Sequence, residues 1–107
     1  MGSNSLLVEI LYFSGCPSWK QTIEDLKFVL AEKGLKPEIK LIKIVSDDDA
    51  KAQSFPASPT IRVNGRDLFP IEQQNYSLKC RVYSTPEGLI GTPPREMIKE
   101  RLSQLVN

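Results

Sequence analysis

The sequence predicts a small α/β domain with a four-stranded mixed sheet flanked by helices, and three observations support this fold class. A nearly continuous apolar run, Leu6–Phe13, is broken by Glu9 alone and is typical of a central strand covered on both faces. Residues 17–33 then carry apolar side chains at helical spacing. A second run rich in branched side chains, residues 38–45, predicts a strand parallel to the first.

The helix between these two strands has clear start and stop signals. Pro17 suits the first turn of a helix, and Gly34 suits the position just after its end. The apolar side chains of one helical face recur at spacings of four, three and four residues: Trp19, Ile23, Leu26 and Leu30. A helix over residues 17–33 is therefore predicted.

The middle of the chain predicts a short helix and the start of a hairpin. Ser46 with Asp49 resembles a capping box, and this helix ends before Pro56. Residues 60–63 predict a short strand, and Asn64-Gly65 predicts a tight turn after it.

Beyond that turn, residues 67–78 are predicted to form a surface loop. The side chains expected to point inward from this loop are Leu68, Phe69 and Ile71. Residues 79–83 predict the second hairpin strand, with Cys80 and Val82 on its core face.

A final helix is predicted to begin with Thr92 as its cap and Pro93 at its first position. The element order is then β-α-β-α-β-β-α, and residues 6–107 are expected to form one domain. Residues 1–5 are interpreted as a disordered N-terminus or as residues left from cloning.

Composition restricts the chemistry that the chain could perform. The chain has 107 residues, a net charge of +1, two cysteines and no histidine. The low charge argues against a nucleic-acid or membrane partner. The first residues lack signal-peptide features, so a cytoplasmic protein with reduced thiols is predicted. Without histidine the usual general base and zinc ligand are lacking, and neither a metal site nor a resident cofactor is expected.

Cys16 stands between the first predicted strand and the first predicted helix, and Ser58-Pro59-Thr60 leads into the third predicted strand. A cysteine that opens a helix, followed by Ser-Pro-Thr before a hairpin, resembles the thioredoxin-like superfamily. The resemblance extends from Leu6 onward. It implies a thioredoxin-like fold in which Pro59 is cis and lies against Cys16.

One departure from the family affects the mechanism. Thioredoxins carry Cys-x-x-Cys and monothiol glutaredoxins carry Cys-x-x-Ser, whereas this chain has Trp19 at the last position of the motif. A disulfide within the motif is therefore impossible. The sequence predicts a small member of the superfamily that lacks the second cysteine.

Cys16 is the predicted catalytic residue, because a thiol at a helix N-terminus is favoured as thiolate. We expect it to form mixed disulfides or thiol adducts with a thiol- or disulfide-bearing protein or with a small thiol. The resolving thiol would be external, with glutathione as candidate co-substrate, or it would be Cys80 as a candidate second thiol. The candidate substrate-binding residues are Pro17, Ser18, Trp19, Ser58 and Pro59.

Structural alternatives stand beside these assignments. Cysteine is often buried and inert, and Trp19 begins the apolar face of its helix. The expected hairpin places Cys80 in the core and far from Cys16, which argues against a bond between them, although the insertion at residues 67–78 could change that geometry.

Two other functions stay open at this point. One is a thioredoxin-like binding or scaffold module without chemistry, and the other is soft-metal or organomercurial binding by the thiols. The sequence does not decide whether the chain is an enzyme with thiol–disulfide oxidoreductase-like activity. A monomer is expected.

Overall fold

A computed structural model describes residues 6–71 and 76–105 and has a mixed α/β architecture. The elements along the described chain are β1 (Leu7–Tyr12), α1 (Ser18–Glu32), β2 (Glu38–Lys43), α2 (Asp47–Ala52), β3 (Thr60–Val63), β4 (Arg66–Asp67), β5 (Tyr83–Thr85), β6 (Gly88–Ile90) and α3 (Arg95–Leu105). The interpretation of residues 1–5 concerns a part of the chain outside the described residues.

Four strands form one mixed sheet in the order β2-β1-β3-β4. β1 is a central strand, parallel to β2 and antiparallel to β3. The predicted parallel pair and the predicted four-stranded mixed sheet are therefore confirmed. Because β1 has a neighbour on each edge, its backbone groups are paired within the sheet, and its side chains Val8, Ile10 and Leu11 are fully buried.

Two apolar clusters meet at β1. Successive residues of a strand point to opposite faces, so Val8 and Ile10 join one cluster while Leu11 joins the other. The larger cluster is built from β1, β3, α1 and α3, and its other fully buried members include Leu26, Ile61, Ile98 and Leu102. The smaller cluster contains Leu11, Ile44, Ala50 and Phe55. Packing from both sides therefore fixes β1, which leads directly to Cys16.

The helix boundaries follow the signals in the sequence. At the end of α1, Gly34 has φ +72°, and the N–H of Leu35 donates to the carbonyl of Leu30 at 2.9 Å. This is a Schellman motif, which favours glycine at the left-handed position. At the start of α2, the Ser46 hydroxyl accepts from the N–H of Asp49 at 3.0 Å. Both predicted helices are thus confirmed.

The predicted hairpin partner of β3 is wrong. β3 pairs with Arg66–Asp67, directly after the turn, and not with residues 79–83. Asn64 and Gly65 both have positive φ, at 54° and 84°. Two such residues in a row reverse the chain with the twist of a two-residue hairpin, so the second strand follows at once. The predicted turn itself is confirmed.

The predicted faces of residues 80–83 are reversed. Arg81 and Tyr83 are each 4% exposed, whereas Val82 is 60% exposed and Cys80 is exposed. Tyr83 begins a separate two-stranded sheet with β6. Polar groups can be buried here because each one has a hydrogen-bonding partner. In the preceding loop, Leu68 and Phe69 are buried as predicted.

Two smaller predictions near these elements are also wrong. Ile71 is 49% exposed and does not point inward. Thr92 does not cap α3, which begins at Arg95; its hydroxyl lies 2.6 Å from that of Thr22. A residue that precedes a proline is disfavoured in helical conformation. Pro93 precedes Pro94, so the helix begins only after Pro94.

The cap of α2 makes a testable contribution to stability. Replacing Ser46 with alanine removes the acceptor for the Asp49 N–H, and the free energy of unfolding should fall by about 1 kcal/mol. Urea denaturation measures this change. Ser84→Ala, at an exposed strand position, is the control; equal effects of the two variants would contradict the capping role.

Candidate functional site

Cys16 lies in the tight turn that joins β1 to α1. Its N–H donates to the carbonyl of Phe13 at 3.0 Å. A Cβ at Gly15 would lie 2.5 Å from Cζ of Phe13, so a larger residue at this position would require the half-buried Phe13 ring to move. Pro17 is the N-cap of α1. The local sequence therefore places the thiol where it was predicted, at the end of a strand and the start of a helix.

Cys16 and Cys80 form a disulfide, with their Cα atoms 5.7 Å apart and a separation of 64 positions in sequence. This corrects the sequence argument against the bond. That argument placed Cys80 in the core of a hairpin with β3, whereas residues 79–81 instead cross beside Ser58. Cys16 is only 2% exposed, while Cys80 is exposed. One sulfur-bearing residue of the pair is therefore buried and the other faces solvent.

Ser58 connects the segments that carry the two cysteines. Its hydroxyl accepts from the N–H of Phe13 at 2.9 Å, which ties it to the turn before Cys16. Its own N–H donates to the carbonyl of Lys79 at 2.8 Å, and its carbonyl accepts from the N–H of Arg81 at 2.7 Å. These three bonds hold the residues on either side of Cys80 at a fixed distance from the end of β1.

The bond between Ser58 and Pro59 is cis, as the sequence resemblance implies. The carbonyl of Pro59 accepts from the Tyr83 hydroxyl at 2.7 Å. The main-chain hydrogen-bonding groups of Ser58 and Pro59 are thus already bonded to residues 79–83. A substrate-binding role for Ser58 and Pro59 stays a prediction.

Arg81 and Tyr83 form a buried polar layer next to Cys80. Arg81 donates from Nη1 to Oδ2 of Asp67 at 3.0 Å and to the Thr60 hydroxyl at 3.2 Å. It also donates from Nη2 to the carbonyl of Phe69. Its guanidinium carbon lies 4.7 Å from the centre of the Tyr83 ring. Burial raises the pKa of the Tyr83 phenol, an effect that Arg81 opposes and Asp67 adds to.

The other candidate contacts lie on the first turn of α1. Pro17 is exposed, and Ser18 and Trp19 are half-buried. The Trp19 ring stacks on Tyr12 with centroids 4.2 Å apart, and Nζ of Lys20 lies 5.7 Å from the Trp19 ring centre. Trp19 is therefore packed against the end of β1, and its role in stacking a substrate stays a prediction.

Sequence analysis missed Arg81, Tyr83 and Asp67 as parts of this site. An arginine in a strand is expected to face solvent, and nothing local indicates that a carboxylate 14 residues earlier will neutralise it. The sequence holds only a weak signal for these residues. Placing Arg81 and Tyr83 in the core requires a polar partner for each of them. Asp67 could have been considered as the partner of Arg81, but it lies in a segment interpreted as a loop.

No family model matches this chain, and no curated protein resembles it at a significant level.

None of the helices in residues 6–71 and 76–105 has both the length and the hydrophobicity needed to cross a bilayer. Across those same residues, no group of three or more Cys, Asp or Glu side chains is placed to hold a metal ion.

The Tyr83 hydroxyl gives the site a measurable pH dependence. Tyr83→Phe removes the bond to Pro59 and should lower the free energy of unfolding by about 1 kcal/mol at neutral pH. Above the ordinary phenol pKa of 10.0 the unfolded chain loses the Tyr83 proton while the folded chain retains it. Wild-type stability therefore falls as pH rises, by up to about 1.4 kcal/mol per pH unit, and the variant lacks this loss.

Urea unfolding between about pH 8 and pH 11 tests this linkage. The two stability curves should converge as pH rises past the ordinary phenol pKa. Tyr76→Phe controls for the loss of a half-buried phenol outside the network. Parallel curves for wild type and Tyr83→Phe would show that burial of this hydroxyl does not control its ionisation.

Proposed function

We propose that this chain is a thiol–disulfide exchange protein that works through the Cys16–Cys80 pair. The observation that carries the proposal is a disulfide between a buried cysteine at the start of a helix and a cysteine on an exposed stretch. A thiolate at a helix N-terminus is stabilised by free N–H groups and by the helix dipole. Cys16 is thus suited to leave as a thiolate when the disulfide is attacked.

We also propose that the fold is thioredoxin-like. The proposal is supported by the position of Cys16 between β1 and α1, by the parallel pairing of β1 and β2, and by the cis bond before Pro59. It differs from the family's dithiol motif in that the second sulfur comes from Cys80, far along the chain, and not from the turn that contains Cys16. An internal sulfur would then replace the external resolving thiol expected from the sequence.

We propose different roles for the two sulfurs, because Cys80 is exposed and Cys16 is buried. A partner thiolate, RS⁻, attacks Sγ of Cys80, the S–S bond to Cys16 breaks, and the electron pair leaves on Sγ of Cys16. A second RS⁻ then attacks the partner-derived sulfur of the mixed disulfide between RS and Cys80. This step releases RSSR and the Cys80 thiolate, and both protein thiolates take up the protons lost by the two RSH. The mixed disulfide thus forms at Cys80, whereas the sequence alone favoured Cys16.

The partner class follows from what is free around Cys80. Both main-chain groups of Ser58 are bonded to Lys79 and Arg81, so an extended peptide could pair with that edge only by displacing the chain's own segment. A small thiol such as glutathione, or a cysteine on a flexible protein segment, needs no such displacement. These are the partners that we propose, with the protein acting as a monomer.

The proposed location is the cytoplasm. Disulfides there are usually transient and catalytic or redox-sensing, whereas those of exported proteins are often permanent. In that compartment the reduced pair would also offer two thiolates to a soft metal or an organomercurial, and this remains the weaker alternative. Binding of that kind requires the reduced form, so both activities depend on how readily the disulfide opens.

Single-cysteine variants test the proposed roles. Cys16→Ser leaves Cys80 exposed, and incubation with oxidised glutathione should give a stable glutathione adduct. Cys80→Ser leaves the buried Cys16, whose adduct should form at least about tenfold more slowly because attack requires access to the sulfur. Intact-protein mass spectrometry follows both reactions. Faster modification of Cys16 would reverse the assigned roles.

A second function is favoured by the burial of Cys16, namely a binding module in which the disulfide is a permanent staple. Structural disulfides resist reduction by the glutathione pool, with potentials below about −300 mV. Equilibration of wild type with mixtures of reduced and oxidised glutathione separates the two. A wild-type protein that stays oxidised in excess reduced glutathione would be a stapled module, and the exchange proposal would fail.

A further inference from the structure

We infer that Arg81 is a positioning residue that keeps Cys80 beside Cys16 after the disulfide has been reduced. The inference rests on the proposed function, because it concerns the equilibrium of the same pair of sulfurs. Its basis is geometric. Arg81 is the residue next to Cys80, and its side chain is 3% exposed and held from several directions.

The guanidinium is fixed by groups that do not depend on the disulfide. Its acceptors are Asp67 in β4, Thr60 in β3 and the carbonyl of Phe69. Asp67 is held in turn, since its Oδ1 accepts from the N–H of Phe69 at 2.9 Å. Thr60 donates its own hydroxyl proton to the carbonyl of Ala57 at 2.6 Å. Both side-chain partners of Arg81, Asp67 and Thr60, are therefore already oriented by bonds to the main chain.

The side chains directly beside Arg81 are exposed. Lys79 is exposed, Cys80 is exposed, and Val82 is 60% exposed. Between Leu78 and Tyr83, the buried side chain is that of Arg81. When the disulfide opens, Cys80 is still held by the Arg81 side chain and the two main-chain bonds at Ser58. Further out, the Leu78 N–H donates to Asp47 at 3.0 Å and the Tyr83 hydroxyl to Pro59 at 2.7 Å, so Arg81 is the side-chain anchor nearest to Cys80.

Retention of this attachment sets the equilibrium of the pair. The reaction is reduced protein plus oxidised glutathione giving the protein disulfide plus two molecules of reduced glutathione. Two thiols that the fold holds near each other have a high effective concentration, which favours the disulfide. Releasing Cys80 from its anchor lowers that concentration. Arg81 should therefore shift the equilibrium towards the oxidised protein without touching either sulfur.

Redox titration against glutathione tests the inference on the full chain. Arg81→Met should lower the equilibrium constant for disulfide formation by about tenfold or more, since a buried charged anchor is lost. Arg81→Lys keeps the charge but not the planar fork and should have a smaller effect in the same direction. Arg95→Met breaks the Arg95–Asp25 pair elsewhere in the fold and should leave the constant unchanged. Should Arg81→Met fail to fold, Asp67→Asn weakens the same anchor and carries the test.

Amide hydrogen exchange in the Cys80→Ser variant gives a readout that does not depend on thiol–disulfide chemistry. The amides of Ser58 and Arg81 should stay protected without the disulfide, and adding Arg81→Lys should reduce their protection. Unprotected amides in Cys80→Ser itself would overturn the inference, as would a wild-type equilibrium constant in the folded Arg81 variants. Wild type that does not equilibrate with glutathione would instead reject the proposed function, while the amide protection would still decide whether Arg81 holds the segment.

Discussion

Three hydrogen bonds made by Ser58 determine where the two cysteines meet. The hydroxyl binds the main chain just after β1, and the N–H and carbonyl bind the residues that flank Cys80. Ser58 is 1% exposed, so these bonds form away from competing water. Residues 79–81 belong to neither of the two sheets. Their main chain is directed towards Cys16 by Ser58, and their one buried side chain, Arg81, is bonded to β3 and β4. The cysteine pair thus depends on polar contacts as well as on the apolar core.

A buried arginine next to the pair would ordinarily be unfavourable. The desolvation cost of an ion pair often exceeds its Coulomb attraction, and apolar side chains of similar size can be equally stable. Here the guanidinium is paired with Asp67 and is also bonded to two neutral acceptors, so its donors are well used. Such a network fixes one register of a segment more sharply than apolar packing does, since a shift by one residue would leave a charge unpaired. That property suits a segment whose cysteine must stay within reach of another.

The parts of the fold that sequence predicts well are those controlled by neighbours along the chain. The apolar run of β1, the helical spacing in α1 and the left-handed Gly34 are local signals, and each predicted the observed element. The Ser46 cap and the Asn64-Gly65 turn belong to the same class. The candidate thiol at the start of α1 could be placed for the same reason, since a strand end and a helix start define it.

The parts that sequence predicts poorly are controlled by contacts between distant residues. Alternation in residues 80–83 correctly separates two faces, but it cannot say which face is inside. An apolar face of Cys80 and Val82 is the better candidate on hydrophobicity alone. The outcome is decided by Asp67 and Pro59, whose charge and carbonyl satisfy Arg81 and Tyr83. With Arg81 and Tyr83 inside, Cys80 faces outward and can bond to Cys16. The wrong prediction of the buried face therefore also led to the wrong prediction that the two cysteines are far apart.

The disulfide and the fold stabilise each other by the same amount, and this constraint links the two candidate functions. Closing a loop of this length removes chain entropy worth about 4 kcal/mol from the unfolded state. By linkage, folding must strengthen the disulfide, relative to the same bond in the unfolded chain, by whatever the disulfide adds to folding. A permanent structural disulfide requires that folding strengthen the bond by a large free energy. In an exchanging pair, that free energy must be offset by an interaction that stabilises the reduced form. In the exchange function that we propose, the position of Cys16 at the start of α1 supplies such an offset, because a helix N-terminus stabilises a thiolate and not a disulfide. The balance between the Arg81 anchor and the helix N-terminus therefore determines whether this bond opens under the conditions in which the protein works.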